Sequence, residues 1–251
     1  LGTKERRQRQ LEEREQRFLA AARELIREDG LLKLQMSRIA ERAEYAVGTL
    51  YLHFASKEDL LLALTIEQVR EHVELFLRVA RWEASSRERM FAFGVADMLF
   101  VRRNPEHFRI GQYVFTEVVW NAASAERRAE LLEANDPIGA LVVGLINEAV
   151  DAGDLELRGL TAEQVSVGVW ALTIGTHNLV HAEGVMDDFN VRDPYRLFCR
   201  HLQTLLNGYG WKPLVDIADD AALDRLIERV SRELFPDLCG DCVAQAARPN
   251  T

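Results

Sequence analysis

Apolar residues return at helical spacing along nearly the whole chain. Between Arg6 and Glu28, Phe18, Ala22, Leu25 and Ile26 fall at i, i+4, i+7 and i+8 with charges between them, which predicts an amphipathic helix stopped by Gly30. Met36, Ile39, Ala40 and Ala43 make a second stripe, and Val47, Leu50, Tyr51 and Phe54 a third. Helices of about two turns are not stable alone, so both must pack on the first. The result is a three-helix unit with a short link from Glu44 to Ala46. Ser56-Lys57-Glu58-Asp59 then opens a long fourth helix reaching Ala80 or Trp82, the Ser hydroxyl taking an orphan N–H and acidic side chains occupying the first turn.

Start signals of the same kind continue downstream. One helix is expected from Ser86 to Arg102, and Asn104-Pro105 supplies an N-cap and an N1 proline for the next. Asp136-Pro137 repeats that signal inside the stretch from Ala125 to Ala152, which predicts a kink or break near Asn135. Thr161-Ala-Glu-Gln164 is a capping box opening a helix to about Ala182, and Asp193-Pro194 opens another to about Asn207. Beyond Gly210, Leu223, Leu226, Ile227, Val230 and Leu234 lie at the spacing of a docked helix between Ala218 and Leu234.

Composition agrees with this reading. Only 6 of the 251 residues are Pro, 48% are hydrophobic, and Leu, Ala, Glu and Arg fill the long stretches without strand-like alternation. The fold class is therefore all-α, with a small N-terminal three-helix domain and a larger helical one. The expected division is 1–56, 57–210, and a C-terminal extension 211–251 holding one helix and a flexible tail. The charge-free stretch Val165 to Val180 carries Ser, Thr, His and Asn, so it reads as a buried helix and not as a membrane anchor. The first residues, LGTKERRQRQ, lack the apolar core of a secretory signal, and three Cys without framework spacing suit a reducing compartment. A cytoplasmic protein is expected.

The net charge of −9 argues at first against a nucleic-acid partner. Its distribution softens that objection, because residues 1–60 hold 12 Lys and Arg against 11 Asp and Glu, while the remainder holds 19 against 29. Lys4, Arg6, Arg7 and Arg9 face only Glu5 and form a basic arm, readable as a DNA contact or as a solvated tail. Burying positions 47, 50, 51 and 54 leaves Ala46, Thr49 and His53, with Gly48 beside them, on the opposite face of the third helix. That face is small, polar and almost uncharged, and Gly48 removes the last Cβ that would hold the backbone away from a phosphate or base edge. A helix, a short turn and a second helix presenting such a face is the arrangement that enters a major groove. A helical hairpin with an incidentally polar face gives the same pattern.

The stretch from Arg17 to Ala63 resembles the N-terminal domain of repressors of the tetracycline-repressor (TetR) family. The likeness is densest over Gly48-Thr49-Leu50-Tyr51-x-His53-Phe54-x-Ser56-Lys57-Glu58-x-Leu60, joined to Ile39-Ala40 upstream. It implies that Gly48 and Thr49 meet bases or backbone in the groove, that Tyr51, His53 and Lys57 are phosphate contacts, and that Ile39, Ala40, Leu50 and Phe54 are core. Gln35, Arg38, Tyr45 and Ala46 complete the DNA-binding set. Three turn positions depart from the family pattern: Glu44 stands where Gly is usual, Tyr45 where a small apolar residue is, and Ala46 where a Ser cap is. Leu34 and Gln35 replace the usual Thr or Ser that starts the second helix. A carboxylate at Glu44 weakens nonspecific attraction unless Arg38, Arg42 or the arm compensates, and Ala46 cannot cap the third helix.

The resemblance also implies a ligand-responsive repressor that binds palindromic double-stranded operator DNA. It would do so as a homodimer through helices near 161–183 and 193–208, and be released by a small-molecule inducer. Candidate ligand contacts are Phe100, Tyr113, Phe115, Glu117, Trp120, Trp170 and His177, with Glu117 a partly buried carboxylate inside the apolar run YVFTEVVW. Ordinary core packing of the aromatics is the competing reading. His177 and His181 lie one turn apart, which suits a metal or, more simply, a dimer interface. Cys239-Gly-Asp-Cys242 is half a zinc site at most. No phosphate-binding loop, dinucleotide fingerprint or hydrolase motif occurs, so no catalytic residue, cofactor or metal is expected. Two other classes compete: an interaction module of the same fold with weakened DNA binding, and an α-helical small-molecule carrier or enzyme built on Glu117 and the histidines.

Overall fold

The computed structural model describes residues 2–238. Within them the chain is helical, with no strand among the described residues: α1 (Thr3–Asp29), α2 (Met36–Arg42), α3 (Val47–Tyr51), α4 (Lys57–Ala80), α5 (Ser86–Arg103), α6 (Pro105–Val114), α7 (Glu117–Ala122), α8 (Ala125–Asp151), α9 (Ala162–His181), α10 (Val185–Asp188), α11 (Pro194–Gly208) and α12 (Asp220–Leu234). The Cys239 and Cys242 pair lies outside the described residues.

Local caps fix several of these starts. Ser56 Oγ accepts from the Asp59 N–H at 3.1 Å, Thr161 and Gln164 form the reciprocal box at α9, and the Asp193 carboxylate accepts from Arg196 N–H ahead of the N1 proline of α11. The α5 start carries a second box, in which Ser85 and Glu88 exchange bonds. Of the kink or break expected near Asn135, the break does not occur: α8 is one helix through Pro137. Pro137 lacks only the one N–H that would have reached Glu133, and the rest of the helical ladder continues on either side. α1 begins at Thr3, so Lys4, Arg6, Arg7 and Arg9 are exposed positions of a helix and not a separate arm.

Packing divides the chain into two units. Of the described residues, the first holds 2–70 together with 106–135, and the second 71–105 together with 136–238. In the first unit Phe18, Ala22, Leu25 and Ile26 of α1 close over Ile39, Ala40, Leu50 and Phe54, and Leu60 to Leu64 of α4 join the same core. Ile110, Val114, Val119, Ala123 and Leu131 extend it, so α6, α7 and the first half of α8 pack with the three N-terminal helices. In the second unit α11 packs on both α5 and α9, and α12 on α5 and α11. The close approach of α11 to α5 requires Gly94, where a Cβ would meet Leu202 Cδ2 at 2.5 Å. Arg87 is buried at this seam without a carboxylate: its guanidinium donates to the Trp211 carbonyl, to Gln203 Oε1 at 2.6 Å and to Asn207 Oδ1 at 2.9 Å. Burial pulls its pKa down to about 10. Among the described residues, no helix is long and apolar enough to cross a membrane.

Candidate nucleic-acid interface

α2 and α3 are held at the turn between them by a Schellman arrangement. Tyr45 N–H donates to the Ala40 carbonyl at 2.9 Å and Glu44 N–H to the Glu41 carbonyl at 3.0 Å. That geometry places Glu44 at φ 60°, the left-handed region glycine occupies at least cost. The glycine usual in the family therefore answers a backbone requirement that this chain meets with a strained Glu. Tyr45 turns its ring against Phe18, centroids 5.2 Å apart, while its hydroxyl accepts from Arg17 at 3.3 Å. Ala46 and Gln35 occupy the N-cap positions of α3 and α2, and neither side chain caps its helix.

The third stripe is narrower than the spacing predicts. Leu50 and Phe54 are buried, but Val47 is 39% and Tyr51 49% exposed. With only five residues, α3 turns a single apolar edge to the core, and positions 47 and 51 fall outside it. The outward surface is therefore Ala46, Val47, Gly48, Thr49 and Tyr51. A Cβ at Gly48 would meet no atom within 4 Å, so nothing in the protein itself requires glycine there. His53 sits at the margin, its ring 5.5 Å from Phe18. Burial holds it below the usual histidine range; Glu15 opposes this, and Arg14 and Arg127 add to it. At neutral pH it is an uncharged hydrogen-bonding group. Lys57 opens α4 beside this surface.

Two cations near the turn are already engaged. Arg38 is paired with Asp29 at 2.5 Å, and Arg42 reaches Glu24 at 3.2 Å and Glu28 at 2.8 Å. The compensation expected of them for Glu44 is spent within the protein. Arg127 is similarly occupied, bridging Glu15 and Glu130 over the face of Phe54.

The candidate ligand residues do not form one group. Tyr113, Phe115, Glu117 and Trp120 belong to the first unit. Glu117 is exposed, because Thr116 breaks the apolar run and Glu117 becomes the first residue of α7. Phe115 is also exposed and stacks on the half-buried Trp120, and Tyr113 packs against the core edge. In the second unit Trp170 points outward, 66% exposed. Phe100 and His177 do meet, in a buried polar cluster. Asp97 accepts from His177 Nε2 at 2.6 Å and lies 3.0 Å from His72 Nε2, His72 stacks on Phe100, and His177 Nδ1 meets the Tyr195 hydroxyl at 3.3 Å. Burial works to raise the Asp97 pKa, but the hydrogen bonds and charges of the two histidines outweigh it and hold the carboxyl well below the usual range. Tyr195 is pushed up to about 12, mainly by burial. His177 is thus a core residue and not an interface one, while His181 bonds back to the His177 carbonyl. His72, Asp97 and Tyr195 escape a reading by spacing, although a lone carboxylate inside the apolar run FGVADMLFV was a visible signal. No group of three or more His, Cys, Asp and Glu side chains is placed to hold a metal among the described residues.

A three-helix unit with a short turn and an outward-facing, nearly uncharged third helix is a helix-turn-helix arrangement. Residues 18–64 match the family model described as bacterial regulatory proteins, tetR family. The fatty acid metabolism regulator protein of Bacillus subtilis (strain 168) is 25% identical over 139 residues, covering 55% of this chain and 69% of its own length. Among solved structures, a transcriptional regulator of the TetR/AcrR family from Thermobifida fusca YX-ER1 is 26% identical with a TM-score of 0.57, spanning 74% of this chain and 97% of its own. The regulator FadR from Bacillus subtilis, in complex with stearoyl-CoA, is 23% identical with a TM-score of 0.60, over 77% of this chain and 98% of its own. Residues 18–64 are thus similar to the helix-turn-helix domain of the tetR family, and the chain has the fold of that family's solved members.

Proposed function

We propose that the chain is a ligand-responsive transcriptional repressor that binds palindromic operator DNA as a homodimer and is released by a small-molecule inducer. The observation that carries this reading is the outward face of α3, where small groups and an unobstructed Gly48 leave the backbone free to approach a groove. Gly48 and Thr49 are the base or backbone readers in this proposal. Gln35, Arg38, Tyr45, Ala46, Tyr51, His53 and Lys57 flank them toward the phosphates, with Arg38 having to leave Asp29 to take part. The dimer would form through α9 and α11. Supporting it, α9 carries exposed Val167 and Trp170 beside its buried Val165 and Val169, so that its second face is apolar and uncovered among the described residues. Trp170 is on this reading an interface residue and not a ligand contact. An inducer bound in the second unit would act through α4, one continuous helix with residues in both units, and alter the spacing of the two reading helices.

Names of relatives point to different small molecules, one being a nicotine-responsive transcriptional repressor, HdnoR of Paenarthrobacter nicotinovorans, 23% identical over 52% of this chain and 79% of its own length. The ligand is therefore better sought in this chain's own residues. Gel shifts on the DNA flanking its gene, at two salt concentrations, test the reading. Lys57→Ala should weaken all sequences alike and flatten the salt dependence, whereas Thr49→Ala should change site preference. Failure to bind any palindrome tightly, with both variants indistinguishable from the parent, would favour an interaction module, a reading encouraged by Glu44 and by the internal pairing of Arg38 and Arg42.

A further inference from the structure

We infer that the cavity between α5, α11 and α12 is a binding site for a small apolar carboxylate, which serves as the effector of the second unit. The cavity measures about 590 Å³ and opens to solvent, a size suited to a small organic ligand. Met98 and Leu99 of α5, Tyr195 of α11 and Ile227 of α12 give it an apolar lining. Its charged rim is balanced in number but not in availability. Arg196 is fully engaged, donating to Asp224 at 2.7 Å and Asp220 at 2.9 Å, and the Asp193 carboxylate is used in capping α11. What remains is Arg102, whose guanidinium lies 5.5 Å over the Tyr195 ring, and Arg232 on the outer edge, against the single carboxylate of Glu228. Neither arginine pairs with a carboxylate among the described residues.

A cation entering here would find one carboxylate guarded by two guanidiniums, and an uncharged apolar molecule would leave both unpaired. A monoanion with an apolar body satisfies the wall and the rim together, since a guanidinium fork matches a carboxylate in geometry as well as charge. Tyr195 gives the site a path inward. Its ring lines the cavity while its hydroxyl meets His177, so a ligand against that ring touches the cluster in which Asp97 holds α5, α9 and the second half of α4 through His177 and His72.

That this ligand is the effector rests on the repressor reading; its binding does not. The test is calorimetric titration of the full chain, without DNA, with 2-naphthylacetate and its uncharged amide. One saturable site per chain is expected for the acid, with the amide at least about tenfold weaker, the scale of a charge-assisted hydrogen bond. The double change Arg102→Gln with Arg232→Gln should bring the acid down to the amide, and Ile227→Trp should abolish binding by filling the space. Both changes are at half-exposed or exposed positions, and thermal melting checks that each variant is folded. Equal affinity for acid and amide, no saturable binding, or parent-like binding by all variants would each overturn the site. Because DNA is absent, loss of operator binding in gel shifts would instead count against the repressor reading alone.

Discussion

Replacing Glu44 with glycine should stabilise the protein, and replacing it with glutamine should not. The turn between α2 and α3 places Glu44 at φ 60°. A residue with a β-carbon held there costs roughly 1–2 kcal/mol relative to a right-handed conformation, a cost glycine escapes. Glycine in turn loses about 0.4–1 kcal/mol through the greater freedom of the unfolded chain. The balance for Glu44→Gly is a gain of about 0.5–1 kcal/mol, and for a chain of this size that raises the melting temperature by about 1–4 °C. Glu44→Gln keeps the β-carbon and leaves the melting temperature where it was. On DNA the two behave alike, because each removes a carboxylate beside the reading helix. At about 8 Å from a phosphate in water that charge costs about 0.5 kcal/mol per protomer, so both variants should tighten binding to any sequence by about twofold per protomer, less at high salt. Circular dichroism melts and gel shifts on one specific and one unrelated duplex read the two effects separately. If glutamine stabilises as much as glycine, charge and not backbone conformation is at fault. A glycine variant that melts lower than the parent would refute the left-handed argument outright.

Three further outcomes follow from single sites. Gly48→Ala adds a methyl group that meets nothing within 4 Å, so melting should hold or rise slightly while operator affinity falls about tenfold; unchanged affinity in gel shifts means the backbone does not approach DNA there. Arg87→Ala orphans the Trp211 carbonyl, Gln203 and Asn207 and should lower stability by about 3 kcal/mol or more in urea titration, and a loss under about 1 kcal/mol would show the seam does not depend on it. Asp97 has its pKa depressed on folding, so its carboxylate stabilises the fold above the unfolded value near 4, and that contribution disappears as pH falls. Asp97→Asn should therefore cost most at neutral pH, with the deficit narrowing toward about pH 3; a deficit independent of pH would remove the charge from the explanation.

Helix starts were legible because capping is local. Ser56, Thr161 with Gln164, and Asp193-Pro194 carry their signal within four residues, and each bond they imply is present. α7 and α10 are too short to show a period. Continuity of α8 through Pro137 depends on the surrounding bonds, which a start signal read in isolation cannot weigh. Exposure of Val47 and Tyr51 follows from how few residues α3 has, and Glu117 is exposed because the helix restarts at it. Pairings across long separations left no local trace: His72, Asp97, His177 and Tyr195 come from four helices, and α6 and α7 join a core whose other members lie mostly before residue 70. The strain at Glu44 was half visible. Its departure from the family pattern was plain, but its cost depended on the turn adopting φ 60°.

The economy of charge in the first unit leads to a measurable quantity. Arg23, Arg38, Arg42 and Arg127 are all paired with carboxylates of the same unit, and the reading face of α3 has no cation of its own. Lys57 forms no ion pair among the described residues, and neither do Lys4, Arg6, Arg7 and Arg9 in the first turns of α1. Each phosphate neutralised steepens the dependence of log affinity on log salt by about 0.9. If Lys57 alone acts, a dimer neutralises two phosphates and the slope is about −2; if the four α1 cations of each protomer join it, the slope approaches about −9. Deleting residues 2–9 distinguishes the cases, since α1 begins beyond the three-helix core and its buried residues start at Phe18. An unchanged slope after deletion confines phosphate attraction to Lys57 and its neighbours, whereas collapse from a steep slope to a shallow one assigns most of it to the exposed start of α1. A slope of about −2 in the parent also requires specific affinity to come from the fit of Gly48 and Thr49 in the groove, and the tenfold loss expected for Gly48→Ala should then persist at high salt.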